Sequence, residues 1–154
     1  MSGTRITLPN EVMLGSVKEL LAEGSRVIIM TKGFSMLPFI VGKRDSVLLE
    51  KQPSVAPGDI VLAEITPGHY VLHRVVGADG DRVILRGDGN YRGTERCSAA
   101  DIAGTVLAIQ REGRPDTDPR SPSQIRRWRR WTAIPAWIRR YYLAFYRRIK
   151  HLTI

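Results

Sequence analysis

A chain of 154 residues, 43% hydrophobic and 25% charged, is long enough to bury one core and too apolar to be disordered throughout. Its net charge of +9 sits at one end: residues 1–123 carry 15 basic and 15 acidic side chains, whereas Gln124 to Ile154 carries nine basic and no acidic ones. A basic nucleic-acid-binding domain is excluded, because any affinity for a polyanion must rest on the tail alone.

In chain order, residues 1–25 lack the basic start and unbroken apolar run of a signal peptide, since Asn10, Glu11, Lys18 and Glu19 interrupt the apolar positions. Asn10 caps, Glu11 suits a first turn, Met13, Val17, Leu20 and Leu21 recur at helical spacing, and Gly24 stops the run, predicting an amphipathic helix over 10–23. From 26 to 110 the period changes to short β-rich runs: SRVIIMTK, DSVLLEK, GDIVLAEI, HYVLHRVVG, DRVILRG and IAGTVLAIQ, with ADGD as a hairpin turn. Six such runs without an intervening helix predict a mainly β domain, an antiparallel sheet or partly open barrel. Residues 111–124 hold three prolines and read as a linker or surface loop. Residues 125–154 form a basic, aromatic, amphipathic helical tail that Pro135 divides in two. No run of about 18 apolar residues occurs, so a spanning helix is not expected. Cys97 is the single cysteine, which rules out an internal disulfide and is compatible with a reducing compartment.

The chemistry centres on KGFSMLPFI, Lys32 to Ile40. Ser35 needs a base before it becomes a nucleophile, and most turn serines only bond the local backbone. Gly33 permits close backbone approach, Phe34 and Met36 are costly in an ordinary polar turn, and Pro38 fixes the exit. Lysines occur at 18, 32, 43 and 51 and then not until Lys150, which excludes a serine–lysine pair with its base on a later strand. His69 and His73 lie four apart; on a strand that is roughly 13 Å at about 3.3 Å per residue, too far to share a metal. No metal and no cofactor are expected. His73 lies mid-run, where a histidine is either structural or, with its near-neutral pKa, a general base. Asp88, in LRGDGN, is either an Asp-Gly turn residue or the group that orients the histidine, as in a Ser-His-Asp arrangement.

GFSMLPFI, PGDIVLAEI, YVLHRVV and RGDGN together resemble, in order and approximate spacing, the boxes of the signal peptidase I family, whose LexA-like relatives share the first box. The resemblance covers residues 26 to 109. It implies a partly open antiparallel β-barrel and Ser35 as nucleophile. It also implies a base at the position of His73, which is lysine in most bacterial members and histidine in the endoplasmic-reticulum and archaeal type. Asp88 falls on the acidic residue of the last box and is implied to support the base, with Glu95 a further acid nearby. The Ser35 backbone N–H is the natural oxyanion donor. Gly33 lacks the hydroxyl many signal peptidases place there, leaving Phe34 to supply a second amide. Asp59 and Arg74 match positions taken as structural. Without a spanning helix or a DNA-binding domain, the chain is most similar to short stand-alone bacterial members.

The tail pairs Arg126, Arg127, Arg129, Arg130, Arg139 and Arg140 with Trp128, Trp131 and Trp137. Such a pattern suits a helix on an anionic membrane surface, packing against the domain or a partner chain, or, less readily, nucleic acid. The expectation is a serine endopeptidase using Ser35 and His73, assisted by Asp88, acting on a peptide or protein substrate. It would lie in the cytoplasm, peripheral at the inner membrane face. The alternative is a peptidase-like module that binds an extended peptide by strand addition without cutting it, anchored to membrane or partner by its tail.

Overall fold

The computed structural model describes residues 4–7, 10–90 and 93–152, with side chains up to residue 149; the side chains of Lys150, His151 and Leu152 lie outside the described ones. Eight strands and three helices follow one another as β1 (Thr4–Ile6), α1 (Glu11–Ala22), β2 (Val27–Met30), β3 (Asp45–Glu50), β4 (Ile60–Thr66), β5 (His69–Asp79), β6 (Arg82–Arg86), β7 (Glu95–Ser98), β8 (Ile102–Arg111), α2 (Pro122–Ala133) and α3 (Ala136–Leu152). The class is mainly β, as the β-rich runs predicted. The strands form one sheet in the order β1-β2-β3-β8-β4-β5-β6-β7, in which β1 pairs parallel with β2 and every other pairing is antiparallel.

The six predicted runs become β2 to β6 and β8. Two strands were not anticipated. β1 is only three residues long, and β7 reads ERCS, with one apolar residue, so neither carries a period-2 signal of its own. Each is a strand because a neighbour supplies the ladder: Thr4–Ile6 lies against Val27–Ile29, and Glu95–Ser98 against Arg82–Leu85.

α1 begins as its cap predicted, with the Asn10 side chain accepting a hydrogen bond from the Met13 amide at 2.9 Å. Its buried Val17 and Leu21 join Ile29, Val47, Leu49 and Val106 in the larger core. Gly104 of β8 makes room for the helix, because a Cβ there would sit 3.0 Å from a Leu21 methyl. A second core, with Val61, Val75, Val83, Leu85 and Ile102, fills the far half of the sheet.

The segment after β8 runs back along it, with Thr117 and Ile109 exchanging both backbone hydrogen bonds. α2 starts at Pro122, inside the stretch expected to be a linker, because proline lacks only an N–H that the first helical turn would leave unpaired anyway. The division at Pro135 separates α2 from α3 as predicted. Trp131 and Leu143 are buried against Leu37 and Val41, directly beneath the segment that carries Ser35. Two consequences of the fold therefore matter for the site: β5, β6 and β7 lie side by side, and the tail lies under the serine turn.

Candidate active site

Between β2 and β3 the chain makes a compact turn whose apolar members point inward: Met36, Leu37, Ile40 and Val41 are buried, while Ser35 is exposed. Burying four apolar side chains around one serine anchors the turn and leaves the hydroxyl facing out, which accounts for the unusual neighbours of Ser35. Gly33 has φ +81°, a backbone state that glycine adopts without steric cost. Gly42 packs so closely on Gly33 that any Cβ would collide with its backbone. The base of the turn is tied by Asp45, whose carboxylate accepts from the Val41 amide at 2.9 Å and pairs with Arg44 and Arg111. Burial pushes the Asp45 carboxyl up, but the two guanidinium groups and the Val41 amide outweigh it and hold the pKa below its ordinary value.

His73 is buried on β5, and its Nδ1 lies 3.0 Å from Oε2 of Glu95 on β7. That contact leaves Nε2 on the other side of the ring. A Cβ placed on Gly87 would run into the Ser35 carbonyl oxygen while lying 3.2 Å from His73 Nε2, so the serine backbone and the imidazole Nε2 meet at this one glycine. Ser35 and His73 also line one cleft of about 190 Å³, whose apolar walls include Leu14, Ile29, Leu62 and Leu72. No hydrogen bond joins Ser35 to His73 among the described residues. His69 is exposed at the start of β5 and does not line the cleft; Lys32 does.

Asp88 stands elsewhere than expected. Its carboxylate is not on the histidine but on Arg74, receiving Nε at 3.2 Å and the second guanidinium nitrogen at 2.6 Å, with both side chains 2% exposed. Arg74 also donates to the Gly58 carbonyl at 3.0 Å and lies between the Phe39 and Trp128 rings, 5.2 and 5.3 Å from their centroids. Burial pushes the Asp88 carboxyl up, with Arg74 pulling against it and His73 adding a smaller pull. The backbone around Asp88 is equally committed. Its amide approaches Met36 Sδ at 3.4 Å, its carbonyl accepts from Trp131 Nε1 at 2.8 Å, and the Gly89 amide donates to the Ser35 carbonyl at 2.8 Å. Asp88 thus fixes the turn that presents Ser35, and the carboxylate in contact with the imidazole is Glu95.

Glu95 reaches His73 through the sheet: it lies opposite Leu85 of β6, and Leu85 lies opposite Val75 of β5, two residues from His73. The Ser35 amide donates no backbone hydrogen bond among the described residues. Phe34 is half-buried, with its carbonyl receiving the Leu37 amide at 3.2 Å. Two of the tail tryptophans, Trp128 and Trp131, turn inward, whereas Trp137 is exposed. Asp59 has a local role, accepting from the Ala56 amide.

A carboxylate on Nδ1 fixes the imidazole tautomer and leaves Nε2 able to take a proton, which is what a neighbouring hydroxyl needs in order to attack a carbonyl. The one thiol offers no such chemistry. Cys97 lies on β7 outside the cleft, and burial, then Asp101 and Asp81, push its pKa up, away from a reactive thiolate. Among the described residues no group of three His, Cys, Asp or Glu side chains could hold a metal ion, and no helix is long and apolar enough to cross a membrane.

No family model matches the chain. One relative, the rat (Rattus norvegicus) ubiquitin carboxyl-terminal hydrolase CYLD, is 32% identical over 81 residues, which are 51% of this chain and 8% of that protein. The chain therefore spans less than a tenth of this relative.

Proposed function

We propose that this chain is a serine endopeptidase in which Ser35 is the nucleophile, His73 the general base and Glu95 the carboxylate that orients it. The observation that carries the reading is the Glu95–His73 contact at 3.0 Å, on a ring whose Nε2 meets the Ser35 backbone at Gly87 in one cleft. In the first step Ser35 Oγ attacks the scissile carbonyl carbon as its proton passes to His73 Nε2. The tetrahedral oxyanion faces the Ser35 N–H, with Phe34 proposed to supply the second amide. His73 then returns the proton to the leaving amine, so the C–N bond breaks and an ester to Ser35 remains. Water, deprotonated by the same imidazole, hydrolyses that ester and regenerates the serine. The Glu95 carboxylate balances the imidazolium that forms twice per cycle.

The four boxes that resemble signal peptidase I, with histidine at position 73, point the same way and imply a signal peptidase-like barrel and a peptide or leader as substrate. The apolar walls of the cleft suit an uncharged side chain next to the scissile bond. A fluorophosphonate probe tests the reading. Wild type should be labelled at Ser35 and the Ser35→Ala protein should not; a folded wild type that is not labelled, and cleaves no peptide from a random library, would instead indicate a peptide-binding module.

A further inference from the structure

The tail has a packed part and an uncovered part. Trp131 and Leu143 are buried, and Ile134 and Tyr146 pack beside them. On α3, Trp137, Tyr141, Phe145 and Ile149 recur every four residues, with Ile138 and Tyr142 in the adjoining row, and all six are exposed, Tyr141 by 71% and Trp137 and Phe145 by 65%. Residues four apart lie on one helix face, so Trp137, Tyr141, Phe145 and Ile149 form a single apolar stripe, which Ile138 and Tyr142 join to the domain side, Tyr142 meeting the Trp131 ring edge-on at 5.5 Å. Arg140 and Arg147, both exposed, lie along one edge of the stripe, and the exposed Arg148, three residues after Phe145 and seven after Tyr141, falls on the stripe's own face near its C-terminal end.

Beside the stripe is a cavity of about 390 Å³ between α2, α3 and Pro38–Phe39, lined by Arg127, Arg130 and Arg139 with Trp131, Ile138 and Tyr142 and by no acidic residue. Ile138 and Tyr142 belong to both cavity and stripe. Arg139 Nε is buried without a hydrogen-bond partner, as is Nε of Arg86. Burial, then the nearby Arg86 charge, lowers the Arg139 pKa, as expected where cations crowd without a counter-charge.

We propose that the α3 stripe docks on the surface of an anionic phospholipid bilayer, with the arginine-lined cavity receiving a lipid phosphate. Aromatic side chains in a row flanked by arginines match the boundary between acyl chains and head groups, where rings are half immersed and guanidinium groups meet phosphate. A 17-residue helix is about 26 Å long, and the arginines along this one keep it in the plane of the surface. A second copy of the chain fits poorly, because pairing two stripes brings two arginine sets together without an acid between them. Nucleic acid would account for the four rings but not for Ile138 and Ile149, which offer no stacking face, whereas acyl chains account for all six. Since Pro38 and Phe39 line the cavity, docking would hold the Ser35 cleft beside the bilayer. The proposal stands independently of whether Ser35 cleaves anything.

The test is co-sedimentation of the full chain with vesicles of phosphatidylcholine alone or with phosphatidylglycerol at one part in four, with tryptophan emission recorded in parallel. Wild type should bind the anionic vesicles with a blue shift and leave the neutral ones in solution. Trp137→Ala combined with Tyr141→Ala and Phe145→Ala should abolish binding with the circular dichroism spectrum retained. Arg127→Gln with Arg139→Gln should weaken binding about fivefold per arginine removed. The proposal is overturned if folded wild type ignores anionic vesicles, or binds neutral ones equally. It is also overturned if the triple variant binds as wild type does, or if the stripe proves to form a dimer or to bind RNA in place of lipid.

Discussion

Replacing Arg74 by Met separates a structural role for the Arg74–Asp88 pair from a catalytic one. The guanidinium is fully buried, holds the Asp88 carboxylate by two hydrogen bonds and the Gly58 carbonyl by a third, and lies between two aromatic rings. Met fills much of that space but leaves a buried carboxylate with no partner. Removing one member of such a pair costs about 3–5 kcal/mol, a large share of the ~5–15 kcal/mol typical of a domain. With a urea dependence of about 2 kcal/mol per molar, the unfolding midpoint should fall by about 2 M, read from tryptophan fluorescence. The pH dependence has a definite sign. Burial already pushes the Asp88 carboxyl up, and without Arg74 the folded state holds its proton to still higher pH than the unfolded chain does. The deficit should therefore be small below the unfolded carboxylate pKa, about 3.9, and grow as pH rises toward the folded value. An unchanged midpoint, or a deficit that widens on acidification, would refute this account of the pair.

Glu95→Gln should slow probe labelling of Ser35 by about 10²- to 10⁴-fold, because the amide no longer favours the productive imidazole tautomer, while shifting stability by no more than about 1 kcal/mol; His73→Ala should abolish labelling and His69→Ala should leave it unchanged, and equal losses in the two histidine variants would remove His73 as the base. Gly87→Ala drives a methyl into the Ser35 carbonyl and against His73, so it should abolish labelling and cost about 1–3 kcal/mol. Gly15→Ala, on α1 with open space around the new methyl, should stabilise by roughly 0.5–1 kcal/mol, and the pair can be compared in one thermal melt series. Asp45, held below its ordinary pKa, contributes stability that is present above the unfolded value and lost as pH falls through the folded one. The difference in stability between wild type and Asp45→Asn should therefore be full at pH 7 and vanish in strong acid; a pH-independent difference would mean that the carboxylate's charge is not what ties Val41.

What could be read from the residues was local. Asn10 announced α1, and the β-rich runs announced six of the strands. The apolar residues around Ser35 mark the turn as more than a connection, and the absence of lysine from the later strands leaves His73 as the base that the residues offer. What escaped was long-range. Glu95 meets His73 only because β7 is two ladders away from β5, and β7 is a strand only because β6 pairs with it. Asp88 sits in the expected loop, but its preference for Arg74 over His73 depends on where a fully buried guanidinium points. The inward turn of Trp131 depends on a backbone carbonyl, Asp88 O, and no residue pattern marks a carbonyl as an acceptor. The arginine and aromatic pattern of the tail suits a membrane surface, the domain or a partner alike, and it does not say which of the two helices packs and which stays exposed.

The hydrogen bond from Trp131 to the Asp88 carbonyl has a practical reach beyond its own energy. A chain shortened after Ser123, the obvious cut for anyone wishing to isolate the β-sheet domain, would also strip the floor from under Leu37 and Val41. The basic tail and the serine turn are in that respect one heritable unit: a change in the size of residue 37, 41, 131 or 143 must be answered by another, and a tail borrowed from elsewhere would have to bring its own tryptophan.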